Sequence, residues 1–322
     1  MMDVSVILIN WKSKDYLRKC LSSLQVVSRG VDLEIVAVDN ASSDGCGEML
    51  AREFPGAIFI QSDKNLGFAK GNNLGAARAT GRNLLFLNPD TEFLEDSVSV
   101  LVNRLDSLPG AGAVGCKLLN SDKSLQTSCI QSFPSVLNQF LDSDFLRGQF
   151  PRSSLWGTAA FLSDGCRPEV VEVVSGACVM VKRSVFEQVR GFTERYFMYG
   201  EDLDLCFKIR RAGCCVYYLP QTAIVHHGGG STRQGVNRFS SVMMRESVYR
   251  FLRFNRGLPS AAAYRGAMAG SALLRVLLIL PLLIVARNRV VKNGPGSLHK
   301  WLAILRWSIG METWARNQSS GG

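Results

Sequence analysis

The chain has 322 residues, 47% of them apolar and 20% charged, with a formal net charge of +10. That composition excludes a disordered or fibrous protein and leaves room for one large domain or two smaller ones. Nine scattered cysteines without CxxC spacing suggest neither a zinc site nor a disulfide framework, and they fit a reducing, cytoplasmic setting.

The N-terminus runs into a strand-like segment, Val4-Ser5-Val6-Ile7-Leu8-Ile9, with no basic n-region or cleavage site, so no signal peptide is expected. Asn10-Trp11 ends that strand. Ser13 is the predicted N-cap of a helix, in which Leu17, Cys20, Leu21 and Leu24 fall on one face. Leu33–Val38 reads as a second strand, closed by the polar run Asp39–Gly45, and 57–61 as a third. Asn65-Leu66-Gly67-Phe68-Ala69-Lys70-Gly71-Asn72-Asn73 opens a small-residue helix that reaches Ala79. The four apolar residues Leu84–Leu87 then make a short buried strand, which stops at Asn88-Pro89-Asp90 because proline cannot donate to a sheet ladder. This β-α-β alternation predicts a mostly parallel sheet with helices on both faces.

A helix is expected over 94–108. The literal G-x-G-x-x-G at 110–115 follows a helix and overlaps a strand, the reverse of a dinucleotide-binding context. Residues 120–170 show no clear period and read as a long excursion, with a substrate lid as one reading. A strand is predicted over 173–181, around Ser175-Gly176-Ala177. Gly200-Glu201-Asp202-Leu203-Asp204 opens a helix closed by Gly213. Strands at 214–218 and 223–225, parted by Pro220, lead to His226-His227-Gly228-Gly229.

Asp39, Asp90 and the His226/His227 pair thus stand at strand ends, where open α/β sheets gather their chemistry. An Asp and a His form a normal mixed ligand set for a divalent ion. Each feature also has a plain structural reading. The acids at 201–204 complement a helix dipole, Asp39 caps a turn, and His226 is a hydrogen-bonded core residue.

Taken together and in this order, these motifs resemble glycosyltransferase family 2, with its GT-A fold, over residues 3–232, and most of all its rhamnosyltransferase branch. The resemblance rests on Val6–Trp11, Val38–Ser42, Asn65–Asn73, Leu87–Asp90, Ser175–Ala177, Tyr199–Asp202 and His226–Gly229. It implies an inverting, metal-dependent transfer from a nucleotide-diphospho-sugar, dTDP-L-rhamnose in the first instance and a UDP-sugar in the alternative, to a cell-surface glycan or lipid-linked acceptor. Asp39 would contact the base or ribose, and Asn10, Asn65, Gly67, Phe68, Lys70, Asn72, Asn73 and Asn88 would line the donor pocket. Asp90 and His226 would hold Mn2+ or Mg2+. Asp202, beside Glu201, would be the catalytic base, with Gly176, Tyr199 and Asp204 toward the acceptor. Two positions depart from the pattern: Asn88 replaces the first Asp of the DxD, and Thr193 replaces the Asp of Gly-Phe-Asp-Glu. The rivals are a sugar nucleotidyltransferase, disfavoured because no basic Gly-rich triphosphate loop is present, and a catalytically inactive glycan- or membrane-binding module.

The expected domains are a catalytic one over 1–240, halved at 119/120, and a helical basic extension over 241–322. Residues 245–322 carry twelve Lys/Arg and two acids, which accounts for the whole +10. The segment 266–286 is apolar except for Arg275 and would be just long enough as a helix, about 30 Å, to cross a bilayer. Arg275 near its centre and Pro281 within it argue that it lies in an anionic headgroup layer instead, on the inner face of the cell membrane. A buried hairpin or a dimer interface is the competing reading, and no nucleic-acid partner is expected.

Overall fold

The computed structural model describes residues 2–28, 30–142, 149–150, 153–156, 167–228, 238–285 and 294–318. The lid reading of 120–170 therefore falls partly outside the described residues, as do Gly229, Arg287, Arg289 and Lys292. The chain divides into two compact units: residues 1–133, 158–197 and 201–231, and residues 134–157, 198–200 and 232–322.

In the first unit the elements run β1 (Val4–Asn10), α1 (Lys14–Val27), β2 (Leu33–Asp39), α2 (Cys46–Glu53), β3 (Ile58–Gln61), α3 (Gly67–Ala76), β4 (Asn83–Leu87), β5 (Thr91–Phe93), α4 (Ser97–Ser107) and β6 (Ala111–Leu119). In the second unit lies the short helix α5 (Val136–Phe140). The first unit also holds β7 (Ile130–Gln131), β8 (Glu169–Val171), β9 (Val173–Val174), β10 (Cys178–Lys182), the helices α6 (Arg183–Gln188) and α7 (Glu201–Arg211), and β11 (Cys215–His226). Nine strands form one sheet in the order β3-β2-β1-β4-β10-β6-β11-β5, with β8 beside β11. Two parallel blocks, β3-β2-β1-β4 and β6-β11, are joined by β10, which runs antiparallel to both β4 and β6. Every residue of β1 and β4 is buried, as unbroken apolar runs require when helices cover both faces of a sheet.

The structure corrects four local expectations. A three-residue strand, β5, follows Asp90 and pairs with β11, so the next helix starts only at Ser97, where Asp96 accepts the Ser99 amide at 3.2 Å. The predicted strand over 173–181 is two strands in different sheets, β9 paired with β7 and β10 in the large sheet, with Ser175–Ala177 turning between them. The two strands parted by Pro220 are one, and the proline is absorbed by a register shift between Leu219 and Ala223. Ser13 precedes α1, but its hydroxyl donates to Asn10 Oδ1 (3.0 Å) rather than capping the helix. The glycines at 112 and 115 serve packing within and beside β6. A Cβ at Gly112 would come within 2.7 Å of Cys214 Cβ, and one at Gly115 within 2.7 Å of Val174 Cβ.

The remaining helices of the second unit are α8 (Arg238–Arg256), α9 (Leu258–Val285), α10 (Gly294–Ser308) and α11 (Trp314–Gln318). Phe251, Tyr264, Met268 and Trp307 form its core. Glu246 and Glu312, the two acids of 245–322, are both buried there. Glu246 accepts from Trp307 Nε1 (2.9 Å) and Arg250 Nε (3.0 Å), and Glu312 accepts from Arg238 (2.6 Å).

Candidate active site

The parallel register of β1 and β2 sets Asn10 directly beside Asp39 at the C-terminal edge of the sheet. Asn10 Nδ2 donates to Asp39 Oδ1 at 2.7 Å, Gln61 Nε2 donates to Oδ2 at 2.9 Å, and the Ser42 amide and hydroxyl complete the shell. Burial alone would raise this carboxyl. The hydrogen bonds from Ser42, Asn10 and Gln61 outweigh it and hold Asp39 below the usual carboxylate range, ionised and fixed. Asp44 and Cys46 lie close by, and the three offer ligand atoms within 4.8 Å of one another. Their chemistry does not fit an ion: donors already occupy the carboxylates, and burial pushes the Cys46 thiol up to about 12.

Helix α3 brings the Asn65–Asn73 segment to the same edge. Asn65 Oδ1 accepts the Gly67 amide (2.9 Å), and Asn40 Nδ2 donates to the Gly67 carbonyl (3.0 Å). Gly67 sits at φ 74°, and a Cβ there would strike the Phe197 carbonyl oxygen, which accepts the Phe68 amide at 2.9 Å. Asn73 clamps both backbone polar groups of Phe192, at 2.9 Å each. Asn72 donates to the Phe68 carbonyl (3.0 Å), and its own Oδ1, like that of Asn40, is buried without a partner. Lys70 is half-buried on the same helix.

Beyond β4 the chain turns at Asn88-Pro89-Asp90, and β5 then pairs with β11 in a register that sets Thr91 opposite His226. That pairing, with the His227 amide donating to the Asp90 carbonyl (2.9 Å), brings the carboxylate and the imidazole together. His226 Nε2 is 3.3 Å from Asp90 Oδ1 and 3.2 Å from Asn88 Nδ2. Two atoms 3.3 Å apart fit two ligands of one divalent ion held at about 2.1 Å from each, and a mixed imidazole–carboxylate pair suits Mn2+ better than the harder Mg2+, which prefers oxygen ligands.

Asp202 stands at the start of α7 with its Oδ2 accepting the Gly176 amide (2.9 Å) and its Oδ1 the Leu203 amide (2.8 Å). Gly176 permits that approach, since a Cβ there would lie 3.1 Å from Asp202 Cβ. Burial pushes the Asp202 carboxyl up against the pull of the two amides. Burial and then the neighbouring Asp202 charge push buried Glu201 further, and Glu201 Oε2 has no partner. Tyr199 enters this helix at φ 67°, a left-handed conformation that a non-glycine residue holds only under local constraint. Asp204 faces the protein itself: it accepts from Thr193 Oγ1 (2.5 Å) and lies 3.7 Å from Lys208 Nζ. The sequence does not single out Gln61 or Gln126, whose partners Asp39 and His226 lie 22 and 100 residues away.

The solved mannosyltransferase PcManGT from Pyrobaculum calidifontis, in complex with GDP-Man and Mn2+, matches with a TM-score of 0.58 at 17% identity, covering 97% of this chain and 89% of that one. The sheet order, with its one antiparallel strand between two parallel blocks, is the GT-A fold of nucleotide-sugar-dependent transferases. Residues 5–190 match the family described as glycosyl transferase family 2, and the chain belongs to that family. Among its relatives is the N-acetylglucosaminyl-diphospho-decaprenol L-rhamnosyltransferase of Mycobacterium tuberculosis, 29% identical over 90% of this chain and 97% of that protein. Another is the rhamnosyltransferase WbbL of Escherichia coli, 28% identical over 71% of this chain and 85% of that protein. The likeness to rhamnosyltransferases read from the motifs recurs in these relatives.

Proposed function

We propose that the protein is an inverting, metal-dependent glycosyltransferase that moves L-rhamnose from dTDP-L-rhamnose onto a hydroxyl of a lipid-linked or cell-surface glycan intermediate. The observation that carries this reading is the Ser175–Ala177 turn. Its Gly176 amide holds the Asp202 carboxylate (2.9 Å), and the next carbonyl, Ala177, accepts the Asn88 amide (3.0 Å) beside Asp90 and His226. One turn therefore ties the candidate base to the candidate diphosphate site. Asp202, with a carboxyl raised by burial, takes the proton of the acceptor hydroxyl as that oxygen attacks the anomeric carbon. Asp39 and the Asn65–Asn73 helix orient the nucleoside and sugar of the donor. Asp90 and His226 would hold a divalent ion, which would supply positive charge against the leaving diphosphate. L-rhamnose and a lipid-linked acceptor are supported by the names of the relatives, and the dTDP carrier by the motif resemblance alone. A thermal-shift panel of dTDP- and UDP-sugars with and without Mn2+ tests them, because a ligand at 100-fold its Kd stabilises by about 2.7 kcal/mol. The expected result is a metal-dependent shift with dTDP-L-rhamnose that Asp90→Ala removes. A shift with UDP-sugars alone reassigns the donor, and no shift with any nucleotide-sugar contradicts the reading.

The second unit is proposed to rest on anionic lipid at the cytoplasmic face of the membrane. The stretch Leu258–Pro281 is long and apolar enough to cross a membrane, at mean hydropathy 1.4, and only 22% of its most apolar window is buried. Ala261, Tyr264, Met268 and Ala272 face the unit's own helices, whereas Leu273, Leu274, Leu277 and Leu278 point outward and are about half exposed. Arg275 is held by protein: it donates to the Asp142 carbonyl (2.9 Å) and stacks 4.1 Å from the Trp301 ring centre. A helix with one face packed on protein and the other lined with exposed leucines suits the headgroup plane better than a span. Both acids of 245–322 are buried, and the other formal charges of that stretch are all Lys or Arg, the charge type an anionic surface attracts.

A further inference from the structure

His226 has two ring nitrogens, and only one can offer a lone pair while the imidazole is neutral. Which one does so is written in the turn that follows β6. Asp122 Oδ1 lies 2.5 Å from Ser124 Oγ and also accepts the Ser124 amide at 2.9 Å. An ionised carboxylate can only accept, so the Ser124 hydroxyl proton points to Asp122 and its oxygen is left to accept. Asn120 Nδ2 supplies that bond, at 2.9 Å. The orientation of Asn120 is thereby set, and its Oδ1 accepts Gln126 Nε2 at 3.1 Å. The orientation of Gln126 is set in turn, and its Oε1 faces His226 Nδ1 at 2.8 Å. Every link runs in one direction, and the direction is imposed by a side chain that has no proton to give.

We propose that Gln126 is a positioning residue: it keeps His226 as the Nδ1–H tautomer, so that the Nε2 lone pair is presented beside Asp90 to a divalent ion. The Asp122–Ser124–Asn120 turn polarises Gln126 for that task. The inference rests on the reading of Asp90 and His226 as the metal site. It adds that the ligand is oriented by an amide rather than by a carboxylate, which keeps the site's net charge unchanged. Of the two neighbours of Nε2, Asn88 Nδ2 at 3.2 Å is a donor that a lone pair meets, whereas Asp90 Oδ1 at 3.3 Å is an acceptor, which a lone pair faces favourably once a cation lies between them. Outer partners of this kind are worth about 10- to 100-fold in metal affinity.

Nitrogen-15 NMR of the metal-free protein decides the first half, and with three histidines in the chain the His226 signals are assigned by their loss in His226→Gln. In the neutral imidazole the expected spectrum has a protonated, pyrrole-type Nδ1 and a pyridine-type Nε2. The opposite tautomer overturns the proposal. Calorimetric Mn2+ titration decides the second half. Gln126→Leu is expected to weaken binding about 10- to 100-fold and Gln126→Glu, which still accepts from Nδ1–H, to restore it, with melting temperatures checked for both. Wild-type Mn2+ affinity in Gln126→Leu overturns the proposal and leaves the metal site standing. A wild-type protein that binds no Mn2+ removes the metal site and the proposal together, with the tautomer still on record.

Discussion

Glu201 is a carboxyl buried without a partner for Oε2, next to a second carboxyl on Asp202. Burial, then the Asp202 charge, raises its pKa well above the ordinary carboxylate value. The folded chain therefore keeps a proton that the unfolded chain releases above about pH 4.3. With fewer protons bound in the unfolded state, stability falls as pH rises through the window between the ordinary and the raised value, by at most about 1.4 kcal/mol per pH unit. Glu201→Gln should flatten this slope, so its melting temperature should exceed that of the wild type at neutral pH and approach it in acid. A parallel pair of Tm–pH curves would contradict the burial of this acid. Its neighbour Asp202 is placed differently, with two amides aimed at its oxygens, and that contrast separates a group kept neutral from one that can cycle its proton. Both acids stand out in the sequence as a helix start. Their opposite surroundings do not, because the Gly176 amide that distinguishes them lies 26 residues away.

Helix α3 shows how an element is fixed by one residue without a side chain. Gly67 combines a left-handed φ of 74° with a backbone oxygen where a Cβ would be. Gly67→Ala should cost at least about 1–3 kcal/mol from the backbone conformation alone. By shifting the Asn65–Asn73 segment, it should also weaken donor binding. Chemical denaturation and calorimetry read the two effects, and an alanine variant as stable and as tight as wild type would mean α3 does not seat against Phe197. The element pattern itself is legible because the β1, β2 and β4 runs are apolar and short, and because Asn10, Asp39, Asn88 and Asp90 mark their ends. The antiparallel insertion of β10 and the strand β5 are not. Nothing local in Cys178–Lys182 tells a parallel from an antiparallel neighbour, and a three-residue strand is too short to show a period. Gln126 escapes notice for the same reason, since its partner His226 is 100 residues on.

At the scale of the whole molecule, the excess of basic residues and a row of exposed leucines both belong to the C-terminal helices of the second unit. Replacing Leu273, Leu274, Leu277 and Leu278 together by serine should change stability little, because these side chains already face outward. The same change should abolish flotation with anionic liposomes, each lost leucine removing up to about 1.5–3 kcal/mol of apolar burial. Binding of the wild type should weaken at high salt and vanish with neutral lipid, as expected for cations near an anionic surface. Flotation that resists both high salt and alkaline carbonate would show a span instead. A concentration-dependent dimer that dissociates in the serine variant, with no flotation by the wild type, would assign the leucines to a second copy of the chain.

In the proposed reaction Asp202 deprotonates the acceptor for direct displacement at a sugar whose diphosphate is held at Asp90 and His226. The most direct measurement is the anomeric configuration of the product formed from dTDP-L-rhamnose and a short-chain N-acetylglucosaminyl-diphospho-lipid, read by NMR for the wild type and for Asp202→Asn. The wild type should invert the configuration of the donor. Asp202→Asn should bind dTDP-L-rhamnose as the wild type does and turn over about 10²–10⁴-fold more slowly. A product that retains the donor configuration, or wild-type turnover in Asp202→Asn, would contradict it.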